Sequence, residues 1–158
     1  MEQTSSIHSR LASLFGLGKS SVAPGTVATL VAGIPCFLLI GHLSAWIQSA
    51  LVLALFLAGW YLSGVAEMKA GRSDPQEVVI DELCGYLVAM VGHPVSLLSI
   101  FTGFLLFRIF DIAKPWPIGF VDRKIRGGIG IMLDDVLAGI AANILGLIIL
   151  KLYLILAH

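Results

Sequence analysis

Three groups of ionisable side chains, far apart in the chain, lie at the edges of apolar runs: Asp81 with Glu82, Arg108 with Asp111, and Asp134 with Asp135. Carboxylates in this number suit a hard cation, and Mg²⁺ is held through one or two carboxylates together with water and substrate phosphate. Asp81, Glu82, Asp111, Asp134 and Asp135 are therefore the candidate metal ligands, and Asp81, Asp111, Asp134 and Asp135 the candidate catalytic residues. The stretch from Arg108 to Gly139 adds Lys114, Arg123, Lys124 and Arg126, with Gly127, Gly128 and Gly130 among them. Cations and glycines of this kind meet a phosphate, the glycines by letting backbone N–H groups approach it. Arg108, Lys114, Arg123, Lys124 and Gly128 are read as phosphate contacts, joined by Thr26 of the Pro24-Gly25-Thr26 entry to the first apolar run. Metal-assisted phosphoryl chemistry is what these residues could do.

A plainer reading competes, since acids in a first helical turn and a base in a last turn are what the helix dipole favours. Asp134, expected at the start of a helix, is the better cap candidate of its pair. Asp81 and Asp111 fit that reading less well, because carboxylates at a membrane edge are costly and rare without a task. Asp74, Glu77 and Asp122 fall in loops and are read as solvated.

The elements that must position these groups are apolar. Hydrophobic residues make up 58% of the 158, charged residues only 13%, and the mean hydropathy is +0.95; soluble domains carry about 25% charged residues. No Asp, Glu, Lys or Arg occurs between Lys19 and Glu67, room for roughly two bilayer crossings at about 20 residues each. The composition predicts a single domain over residues 1–158, all-α, a polytopic membrane bundle of about five helices. The expected runs are 27–40, broken by Pro35; 46–68; 78–92, too short to cross alone; 95–112; and 134 to the C-terminus. Residues 1–19 lack the apolar core of a cleaved signal peptide, and Ile7, Leu11, Leu14 and Phe15 at helical spacing predict a short interfacial helix instead. Gly59 with Ser63, and Ala138, Ala142 and Gly146, form small-residue stripes that would admit close helix contact, including a homo-oligomer.

Charge then sets the orientation. Arg10, Lys19, Lys69, Arg72, Lys114, Arg123, Lys124 and Arg126 fall in the N-terminal segment or after the second and fourth runs, whereas the loops around His42 and His93 hold no Lys or Arg. The positive-inside rule places the former in the cytoplasm, with the N-terminus in and the C-terminus out. Lys151 is the exception, placed to snorkel. This topology brings all three acidic groups to one cytoplasmic face.

Several chemistries are excluded. The formal net charge is zero, which disfavours nucleic-acid binding. Cys36 and Cys84 sit in apolar runs without ligand spacing. The segment Ser13–Ser20 resembles the end of a phosphate-binding loop but lacks its first glycine and a preceding strand. There is no Cys-x₅-Arg loop and no Asp-x-Asp pair, and His8, His42, His93 and His158 are isolated. A small carboxylate-lined ion or metal transporter remains the rival from another class, though it would need acids near the midplane rather than at helix ends.

Taken together, APGT at 23–26, VVIDELCGY at 78–86 and FRIFDIAKPWPIGFVDRKIRGGIGIMLDDVLAG at 107–139 resemble the phosphatidylglycerophosphatase A family. The three blocks span most of the chain. The resemblance implies a Mg²⁺-dependent, multi-pass phosphatase of the bacterial inner membrane, with its site facing the cytoplasm. Such an enzyme removes the terminal phosphate of phosphatidylglycerophosphate to leave phosphatidylglycerol. Carried over to these positions, it implies that Asp81, Glu82, Asp111, Asp134 and Asp135 are the functional acids and Lys114 the lysine on the phosphate side. The Val27-Ala28-Thr29 that follows APGT departs from the glycine and serine expected there.

Overall fold

The computed structural model describes residues 2–157; His158 lies outside them. Among the described residues there are eight α-helices and no strand. They are α1 (Glu2–Ala12), α2 (Pro24–Ala28), α3 (Ile34–Ile40), α4 (Ala45–Ala70), α5 (Ile80–Met90), α6 (Leu97–Ala113), α7 (Ile118–Lys124) and α8 (Gly128–Leu156). All five apolar runs are helical. The larger count comes from α1, from the short α7 inside a segment read as loop, and from a π-helical turn, Thr29–Gly33, that divides α2 from α3. The kink expected at Pro35 is thus taken up by a widened turn just before the proline, which falls in the first turn of α3. A proline ring is tolerated where the backbone of the preceding turn is already displaced.

Among the described residues two helices are long and apolar enough to cross a membrane, α4 with 26 residues and α8 with 29. At about 1.5 Å per residue they reach roughly 39 and 43 Å, against an apolar thickness of about 30 Å. α8 is the hub, packing on α4, α5, α6 and α7. α5 is the opposite kind of helix: nine of its eleven residues are buried, and at about 16 Å it is too short to span. It stands inside the bundle, walled by α2, α4, α6 and α8.

Close approach makes this possible. A β-carbon on Gly85 would clash with the Asp135 carbonyl and the Phe107 ring, and one on Gly139 would clash with the Gly85 carbonyl. Ala138, Ala142 and Gly146 are buried, and Gly59 faces Met132. The small-residue stripes are thus used for packing within the chain. The far end of α5 is fixed by two amides. Asn143 donates to the carbonyls of Ala89 (2.9 Å) and Val91 (2.8 Å), and Gln48 accepts from the Gly92 N–H (3.0 Å). Carbonyls at a helix end have no partner within the helix, and in apolar surroundings they need one.

The fifth run begins earlier than expected. α8 starts at Gly128, not Asp134, so Asp134 and Asp135 lie about two turns inside the helix and the capping reading of Asp134 does not hold. The glycines explain the difference. A β-carbon on Gly128 would collide with the Trp60 carbonyl and the Gly64 backbone, and one on Gly130 with the Ile125 carbonyl. Gly128 is small so that α8 can begin against α4, and Gly130 so that its first turn can pack on Ile125, which outweighs the low helix propensity of glycine.

Candidate active site

One end of the bundle holds a cavity of about 800 Å³, walled by the start of α2, the end of α4, the loop before α5, the first turn of α5, the end of α6, α7 and the first turns of α8. Eight carboxylates line it: Glu67, Asp74, Asp81, Glu82, Asp111, Asp122, Asp134 and Asp135. They face four cations: Arg108, Lys114, Arg123 and Arg126.

The acids divide by partner. Arg108 donates to Asp111 Oδ2 (2.5 Å), the i, i+3 pairing that the spacing on α6 allows. Lys114, in left-handed conformation at the end of α6, donates to Asp122 on α7 (2.5 Å) and to Asp134 on α8 (2.6 Å). Burial alone would lower the Lys114 ammonium, but these two carboxylates outweigh it and raise the pKa. Lys114 therefore stays charged while tying three elements together.

Asp81, Glu82 and Asp135 form the remaining group. Each offers a carboxylate oxygen, and the three oxygens lie within 4.8 Å of one another. Asp81 Oδ1, Glu82 Oε2 and Asp135 Oδ2 are buried and without a hydrogen-bond partner. Three carboxylates crowded together, with oxygens aimed at no donor, are unfavourable unless a cation joins them. Their all-oxygen donor set suits a hard divalent ion such as Mg²⁺.

The wall opposite is backbone. A β-carbon on Gly25 would collide with Glu82 Oε1 and come within 3.0 Å of Arg108 Nη1. Glycine at this position lets the start of α2 seat directly on the acid and the arginine. At the rim, Arg126 donates to Ser73 Oγ (3.3 Å), and Ser73 donates in turn to Glu67 Oε1 (3.1 Å). Asp74 is exposed as a residue, yet desolvation of its carboxyl by the cavity wall raises its pKa, with Lys114 opposing.

Most of the residues singled out from the sequence meet here: Asp81, Glu82, Arg108, Asp111, Lys114, Arg123, Asp134 and Asp135 all line the cavity. Three do not. Thr26 lies one residue past the lining Gly25, Lys124 is exposed outside the cavity, and Gly128 is buried against α4. Conversely, Asp122 and Asp74 were read as solvated but belong to the wall, and Glu67 joins them. Asp122 is drawn in by Lys114, a partner eight residues away that only the turn into α7 brings near. Glu77 is solvated as expected, paired with Arg72 at 2.7 Å. None of the described histidines lines the cavity.

A family model described as phosphatidylglycerophosphatase A matches residues 10–150. The chain is 39% identical over 133 residues to the phosphatidylglycerophosphatase A of Escherichia coli, covering 83% of this chain and 77% of that one. It is 39% identical over 131 residues to that of Haemophilus influenzae, covering 82% and 80%. A Bacteroides thetaiotaomicron protein, provisionally named a phosphatidylinositol-3-phosphatase, is 38% identical over 138 residues, covering 83% and 86%. No solved structure matches the chain at a significant level.

Proposed function

The chain belongs to the phosphatidylglycerophosphatase A family, and on that premise we propose that it hydrolyses the terminal phosphomonoester of phosphatidylglycerophosphate in the cavity described above. The observation that carries the reading is the Asp81, Glu82 and Asp135 group, whose unpartnered buried oxygens open into a cavity that also presents Arg108 and Lys114. Carboxyl groups outnumber cations around the cavity by eight to four, so further positive charge would favour the entry of a phosphate dianion, which supports a Mg²⁺ requirement.

Asp81, Glu82 and Asp135 would hold the ion. When bound, Mg²⁺ supplies Lewis-acid polarisation of the phosphoryl group and a more acidic water. The remaining steps belong to the chain. Arg108 and Lys114 turn part of their hydrogen bonding from Asp111 and Asp134 towards the phosphoryl oxygens, stabilising charge that grows as water attacks phosphorus. Asp134 Oδ1, buried and unpartnered, accepts the proton of that water as the bond from phosphorus to the glycerol oxygen breaks. Asp134 then passes that proton to the leaving glycerol oxygen, so that phosphatidylglycerol and inorganic phosphate are released.

The membrane setting follows the same logic. The outward surface is apolar, with Trp46 88% and Leu97 86% exposed, as suits a bundle solvated by lipid. We place the chain as a multi-pass protein of the bacterial inner membrane, with the cavity at the cytoplasmic headgroup level, where a lipid phosphate resides. A transporter would need acids along its length, yet beyond Asp135 the only charged residue of α8 is Lys151. The deciding experiment is phosphate release by the purified protein, with and without Mg²⁺, from phosphatidylglycerophosphate and from phosphatidylinositol 3-phosphate. Mg²⁺-dependent release, faster from the former, is expected; release from neither lipid would overturn the reading.

A further inference from the structure

A second cavity complex lies behind the first and carries the opposite charge. Two adjoining clefts of about 400 and 480 Å³ share Ser9, Ser13, Lys19 and Lys69; Arg72 lines one and Arg10 the other. Among the described lining residues the one carboxylate is Glu77, and both of its oxygens accept from Arg72 at 2.8 and 2.7 Å. Against it stand Arg10, Lys19, Lys69 and Arg72, so the described lining is basic where the catalytic cavity is acidic. The two are back to back. Glu67 and Lys69, two residues apart, point to opposite sides of the last turn of α4, and Val78 lines both cavities.

This cleft is built by the fold. The Val79 N–H donates to the Ala12 carbonyl (3.0 Å), joining α1 to the start of α5. Gly18 sits so close to the Glu77 carbonyl that no side chain would fit. Between them, Leu14 and Phe15 hold left-handed backbone, with φ of 46° and 58°, unfavourable for large side chains and characteristic of ligand sites. The result places the Phe15 ring, 82% exposed, at the cleft edge.

We propose that this cleft binds the phosphate headgroup of a second anionic phospholipid, with Arg10, Lys19 and Lys69 on the phosphate, Ser9 and Ser13 as further hydrogen-bond partners, and Phe15 against the acyl chains. A free phosphate would use the same cations but has no use for Phe15. The proposal rests on the membrane placement above and not on the catalytic assignment, and its test does not read turnover.

The test is titration of the protein, held in phosphatidylcholine nanodiscs, with phosphatidylglycerol, counting bound lipids by native mass spectrometry. The triple variant Arg10→Gln, Lys19→Gln, Lys69→Gln should lose one class of bound lipid, with affinity falling about tenfold or more, since basic residues near an anionic headgroup carry its attraction. Lys19→Gln alone should give a partial loss, and Lys151→Gln none. Unchanged binding in both the triple and the single variant would overturn the proposal. Displacement of the lipid by inorganic phosphate at equal concentration would also overturn it, by making the cleft a site for small anions.

Discussion

Asp134 and Asp135 are chain neighbours that answer to different partners: Asp134 Oδ2 accepts from Lys114 at 2.6 Å, while Asp135 turns to Asp81 and Glu82. Successive positions on a helix are about 100° apart, so a DD pair two turns inside α8 can reach the α6–α7 junction with one residue and α5 with the other. In the proposed site that division would give the pair separate tasks, one towards the lysine and the phosphate, one towards the metal.

For the metal group, Asp81→Asn and Asp135→Asn should each reduce phosphate release by at least about 10²-fold. Both should also weaken Mn²⁺ binding read by electron paramagnetic resonance. The stability change should have the opposite sign. In chelator, removing a buried charge that has no partner should stabilise the protein by about 1 kcal/mol, seen as a higher unfolding temperature. A protein destabilised in chelator and unchanged in metal affinity would mean that these acids are structural.

Lys114 and Arg108 should behave differently from the acids. Lys114→Ala and Arg108→Ala should lower kcat/KM on the order of 10²-fold, with no recovery at high Mg²⁺. Asp122→Asn should cost less than Asp134→Asn, because Asp122 only steadies the lysine. Lys151→Ala, on an exposed residue of α8 far from the cavity, sets the baseline. Equal loss at Lys114, Arg108 and Lys151 would reveal a general stability effect.

The convergence of Asp81, Asp111 and Asp134 at one end was legible because apolar runs alternate in direction and the cations cluster after the second and fourth of them. What was hidden depended on contacts across the fold. The GGIG segment reads as loop, since glycine disfavours helix, and only the backbones of Trp60 and Gly64 reveal it as the start of α8. Asp122 looks like a loop acid until Lys114 draws it to the cavity, and Asp74 does so until the loop before α5 sets it in the same wall. The basic cleft was equally hidden, because Arg10, Lys19 and Lys69 read first as a cytoplasmic charge bias rather than as one wall.

Two glycines separate packing from chemistry. Gly128→Ala drives a methyl into the backbone of α4 and should destabilise the protein by about 1–3 kcal/mol, with activity per folded molecule largely kept. Gly25→Ala presses instead on the ends of Glu82 and Arg108, which can shift. It should leave the unfolding temperature nearly unchanged while lowering kcat/KM. Circular dichroism melts beside phosphate release distinguish the two, and the reverse pattern would return Gly128 to a phosphate-binding role.

Orientation can be read by labelling single cysteines in a variant lacking Cys36 and Cys84. Exposed positions at Lys69, Arg123 and Arg126, all at the cavity end, should react with an impermeant maleimide only from the cytoplasmic side. Those at His42 and Ala157, exposed beyond the apolar spans, should react only from the opposite side. The assignment matters for catalysis because, in the proposed setting, the cavity takes its substrate at headgroup depth and phosphatidylglycerophosphate occupies the cytoplasmic leaflet. It also tests the charge argument directly, since that argument places eight Lys and Arg residues on one side, with Arg108 near the cavity end of the fourth run and Lys151 alone towards the other end of the fifth. Labelling of Arg126 from the outer side would invert the bundle, leaving the cavity and the basic cleft together in the other leaflet.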